Sequence, residues 1–216
     1  MPVDTTFKAL DLIFKLAPGL KSLTGERRNT YFDRVVQPLF NAVCGVHDGY
    51  TALFLEFRRE LVGVLCKMTS LLETERTLTA QELEQVTAIK ESFLEKRTRD
   101  ESLRDVLRNE AQFIFQNIKW PEERRFAASV MYYFLGRGGI APDDATLDCD
   151  IKEVIRSGGI SAWATPSTAL YIQIRESTDL QGIIDQVDEA RNDLNQKYMN
   201  VRLLYQKVQH HLIMKT

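Results

Sequence analysis

Residues 32–68 read FDRVVQPLFNAVCGVHDGYTALFLEFRRELVGVLCKM, and Phe32, Val36, Leu39, Val43, Val46, Tyr50, Leu53, Phe57, Leu61, Val64 and Met68 recur in it in steps of three and four. That spacing keeps one stripe of a helix on a single side. At the rise of an α-helix the row spans roughly 55 Å. A seam of this length must be covered by other long helices, so the stretch predicts an all-α fold. The expected architecture is an elongated antiparallel bundle of long helices with shorter accessory helices. One domain over 1–216 is expected, with an irregular connecting segment at about 136–178. Pro38 removes a backbone donor and crowds the preceding turn. Because the seam keeps its phase across it, a kink around Val35 to Pro38 is expected rather than a break.

The covering helices carry their own signals. Thr79-Ala80-Gln81-Glu82 has capping-box spacing and opens a helix with the apolar face Leu83, Val86, Ile89 and Phe93. That helix is expected to continue to about Lys119, through a charged stretch between Glu95 and Glu110. Lys96 with Asp100 and Arg97 with Glu101 fall four apart, the spacing of a solvated face. Trp120-Pro121-Glu122-Glu123 restarts a helix with proline at its first position. Phe126 to Leu135 is apolar apart from Ser129, as in a buried helix, and is too short to cross a bilayer. The last helix is capped by Asp179 and turns Leu180, Ile184, Val187, Leu194, Tyr198, Val201, Tyr205, Val208 and Leu212 to one side. A short amphipathic helix, rather than a targeting segment, is expected between Asp4 and Pro18-Gly19. Leu170, Ile172 and Ile174 alternate in a way that suits a short helix or a strand, the helix being favoured.

Composition narrows function without naming it. The formal charge is −2, from 28 basic and 30 acidic residues, and offers no global field for nucleic acid or an acidic membrane. Cys44, Cys66 and Cys149 form an odd, widely spaced set without CxxC spacing, which suits a reducing, cytoplasmic setting.

The search for chemistry returns negatives. Gly136-Arg137-Gly138-Gly139 lacks both the preceding strand and the GK[ST] ending of a phosphate loop. Asp143, Asp144, Asp148 and Asp150 match neither an EF-hand nor a helical carboxylate–histidine site. Cys149 lies between two aspartates that disfavour its thiolate. Histidine occurs only at 47, 210 and 211, and His47 beside Asp48 reads as a structural histidine. Arg202 and His210 leave seven residues between them, outside the arginine–histidine spacing of HEPN-type helical RNases. No catalytic, cofactor-binding or metal-binding residue is therefore assigned.

One feature points outward. Ala42, Gly45, Gly49 and Ala52 form a second stripe beside the seam. Glycine inside a helix costs about 0.5–1 kcal/mol relative to alanine, so two retained glycines predict a close approach to the backbone. The approaching element is expected to be another helix of the chain, with a partner protein or a second copy as the functional alternative. Overpacking at Gly49 on substitution by alanine is the corresponding expectation. The function that fits best is a non-enzymatic helical interaction protein, an adaptor, regulator or subunit of a larger assembly. The alternatives are an enzyme with a diffuse carboxylate and arginine site, with or without a metal, and a membrane-active helical protein.

Overall fold

The computed structural model describes residues 28–69, 78–99, 101–134, 170 and 174–213, and among them it is all-α, with no strand. The elements are α1 (Arg28–Tyr31), a π-helical turn (Phe32–Val36), α2 (Gln37–Thr69), α3 (Ala80–Arg99), α4 (Glu101–Asn117), α5 (Pro121–Phe134) and α6 (Leu180–Ile213). The helix expected between Asp4 and Pro18, the glycine-rich 136–139 stretch, the aspartates at 143–150 and Cys149 lie outside the described residues. Leu170 and residues 174–176 are helical.

The irregularity foreseen at Pro38 takes a specific form. Gln37 donates its backbone N–H to Phe32 O, one residue further back than in an α-helix, and this widened turn lies immediately before the proline. Pro38 has no N–H to give the Arg34 carbonyl four residues earlier and its ring crowds that carbonyl, so the wider turn relieves both problems. The seam continues through it: Phe32, Val35, Val36 and Leu39 are all buried.

Along α2 the seam residues Val43, Val46, Tyr50, Phe57, Leu61 and Val64 are buried, while Leu53 is half-buried and Phe54 takes the inner position beside it. α6 covers one flank. Phe40 stacks on Tyr205 at 3.9 Å, His47 on Tyr198 at 3.8 Å, and Arg58 bonds Asp188 at 2.7 Å. Residue numbers rise along α2 as their partners fall along α6, so the two helices run in opposite senses. α3 covers the other flank in the same manner: Arg97 lies 3.5 Å over the Tyr50 ring and Phe93 stacks on Phe57 at 4.3 Å.

Two apolar clusters result. One joins the first half of α2 to α4, α5 and the later part of α6, and the other joins the second half of α2 to α3 and the start of α6. Phe126 to Phe134 of α5 are buried all round, as their apolar character requires. Ser129 fits there because its hydroxyl donates to Phe126 O at 2.7 Å. Caps fix the helix starts. Thr79 N donates to Glu82 Oε2 at 2.9 Å and Glu82 N to Thr79 Oγ1 at 3.3 Å, a reciprocal capping box. Asp179 Oδ1 accepts from Gly182 N at 3.0 Å at the start of α6.

The charged stretch differs from a uniformly solvated face. Within the stretch that the sequence suggests as one helix from 79 to 119, α3 and α4 flank residue 100, which lies outside the described residues. The side chains of Arg104 and Arg108 are only 13% and 15% exposed, with Asp105 3.3 Å from Arg108. Arginine can do this because its apolar stem and flat guanidinium pack on other side chains, as Arg97 does on Tyr50.

Candidate functional site

The four small residues singled out in the sequence separate once folded. Ala42 is buried in the core, Gly49 is half-buried, and Gly45 and Ala52 are exposed. A Cβ added at Gly45 or Gly49 would meet no atom within 4 Å among the described residues. No described helix of the chain is therefore pressed against them, and against the described residues the expectation of overpacking at Gly49 is corrected. The buried seam and its covering helices all lie on the opposite side of α2, because the outer positions are half a turn away from Val43, Val46 and Tyr50.

That outer side has a definite composition. Gly45, Asp48, Ala52, Leu55, Arg59 and Gly63 are all exposed, and Leu55, at 45% exposure, is the large apolar side chain among them. A shallow open depression runs between Ala52, Leu55, Glu56, Arg58 and Arg59. Its flanks are tied down: Lys96 donates to Glu56 at 3.1 Å, and Arg58 to Asp188 at 2.7 Å. Asp48 and Arg59, in the middle of the face, have no hydrogen bond or ion pair among the described residues.

Beneath the same helix, sequence-distant residues meet in a polar layer. His47 is 7% exposed, its Nδ1 shares a hydrogen bond with the Tyr133 hydroxyl at 3.2 Å, and its ring stacks on Tyr198. Tyr198 in turn donates to Cys44 Sγ at 3.2 Å. Burial holds the His47 imidazolium below its usual range against the opposing pull of Asp48. It also pushes up the Cys44 thiol, the Tyr133 phenol and, to about 12, the Tyr198 phenol. The thiol and the two phenols are thereby held in their un-ionised forms, which makes them poor nucleophiles, and the imidazole is held neutral. Stacking and hydrogen bonds give it a packing role that joins α2, α5 and α6.

Two further buried charges are compensated in the same structural sense. Lys197, 2% exposed in its side chain, donates to Asp193 at 2.6 Å and lies 5.7 Å from the Tyr132 ring centre. Glu123 is fully buried against Arg28. Among the described residues no three histidine, cysteine, aspartate or glutamate side chains gather as a metal-binding group. No described helix is long and apolar enough to cross a membrane.

The polar layer was invisible to sequence reading because His47 and Tyr133 are 86 residues apart. The outer face carried a readable signal, a three-and-four spacing through positions 45, 48, 52, 55 and 59, hidden because two of its members are charged. No protein-family model matches the chain, and neither a curated protein nor a solved structure matches it significantly.

Proposed function

We propose that this chain is a non-enzymatic interaction protein, an adaptor, regulator or subunit of a larger assembly, that acts in the cytoplasm through the outer face of α2. The observation that carries the reading is the juxtaposition on that face of exposed Leu55, small neighbours and the unpaired charges of Asp48 and Arg59. An exposed apolar side chain beside small residues and unpaired charges supplies the elements by which one helix docks against another. The His47 layer, Lys197 and Glu123 support the same reading, since each bonds or stacks across helices and so serves packing.

Native affinity purification with mass spectrometry tests it. The Leu55→Glu protein should lose the partners that the unsubstituted protein retains. Leu83→Glu, at an equally exposed leucine on α3, should keep them. Identical partner sets and an unchanged oligomeric mass for both variants and the unsubstituted protein would refute the reading.

A further inference from the structure

On the interaction reading just given, we infer that the partner is a second copy of this chain, docked antiparallel along the outer face of α2 about a two-fold axis between Ala52 and Leu55.

Positions 45, 48, 52, 55 and 59 advance by three and four and are all exposed, so they form a heptad seam on the side of α2 opposite the core; Val62, the next step, is half-buried and packs on the second core cluster. When two copies of such a seam run in opposite directions, each position meets a fixed counterpart. The register that sets Ala52 against Leu55 also sets Asp48 against Arg59. Each contact occurs twice by symmetry, as an isologous interface demands. Exposed Leu55 then covers a small residue, and the free acid faces the free base. Shifting the register by one heptad in either direction sets Asp48 against Ala52, or Arg59 against Leu55, and leaves the charges unmatched. Charge complementarity thus selects one register, the role that polar residues within a helical seam commonly fill. The adjacent Glu56 and Arg58 do not compete, because Lys96 and Asp188 already engage them. Gly45 also fits: with no described atom over it, a second helix can come close to the backbone there.

Sedimentation equilibrium of the full chain tests this. The unsubstituted protein should be dimeric at micromolar concentration. Asp48→Arg and Arg59→Asp should each weaken the dimer at least about tenfold by setting like charges together, and the combined swap should return it to within about threefold. Because both positions are exposed, circular dichroism and thermal melting of each variant should match the unsubstituted chain. A monomeric unsubstituted protein, or a dimer that the single swaps leave unchanged, overturns the inference. So does a double swap that stays monomeric while folded. A monomer whose Leu55→Glu variant still loses a co-purifying protein overturns the dimer alone. Leu55→Glu without effect on mass or on co-purification overturns the interaction reading as well.

Discussion

Arg28 clasps Glu123 across 95 residues of sequence: its Nε lies 2.5 Å from one carboxylate oxygen and its Nη2 2.6 Å from the other. Glu123 is fully buried, Arg28 also reaches Glu122 at 2.9 Å, and the guanidinium rests 5.7 Å from the Trp120 ring centre. The start of the α1–α2 rod is thereby pinned to the start of α5. Removing one partner leaves a charge in the core, so Arg28→Ala should cost about 3–5 kcal/mol in denaturant unfolding. Replacing both residues, Arg28→Met with Glu123→Leu, should cost less than Arg28→Ala alone. Equal losses would show that Glu123 is not held by this contact.

Histidine 47 should make stability depend on pH. Burial lowers its pKa in the fold below the ordinary 6.5, so the unfolded chain binds the proton more readily. Stability from this group is complete above 6.5 and is lost as pH falls from there toward the folded value. Denaturant midpoints measured across that window should fall more steeply for the unsubstituted protein than for His47→Gln. Matching slopes would contradict the assignment.

Gly49→Ala should stabilise the protein by about 0.4–1 kcal/mol, because the added methyl enters open space and alanine favours the helix. Thermal unfolding decides the sign. A loss of stability would mean that something outside the described residues covers Gly49.

Phe93 joins the second core cluster by stacking on Phe57 and lying 5.6 Å from the Phe54 ring, and it is 2% exposed. Phe93→Ala should cost about 3–5 kcal/mol as a cavity opens between α2 and α3. A loss near that of a surface substitution would place α3 elsewhere.

Small-angle scattering checks the length of the bundle. Helices of 33 and 34 residues each run about 50 Å. The radius of gyration of the monomer should exceed the value of about 17 Å expected of a compact chain of this length.

What the sequence reveals follows from how far each signal reaches. The seam of α2, the Thr79 capping box, the Pro121 helix start and the buried α5 run are legible because period, caps and apolarity are local properties. The π turn is half legible: Pro38 announces strain, but how the backbone relieves it depends on Phe32 and Val36 staying buried on one side. Charges that end inside are not legible. Glu123 reads as an acid favouring a helix N-terminus, Lys197 as a solvent-facing lysine and Arg97 as part of a solvated face. Their destinations are set by Arg28, Tyr132 and Tyr50, which only the fold brings near. The stripe of small residues was legible as a pattern and misread as to side, because spacing alone does not tell which face of a helix its neighbours occupy.

The recognition role of the α2 outer face stands or falls on photo-crosslinking in the intact cell. A benzophenone amino acid placed at position 55 should yield a discrete adduct with one protein, the chain itself included. The same probe at position 83, a leucine equally exposed on α3, should yield none. No adduct from position 55, or the same diffuse products from both positions, would contradict a docking surface on α2.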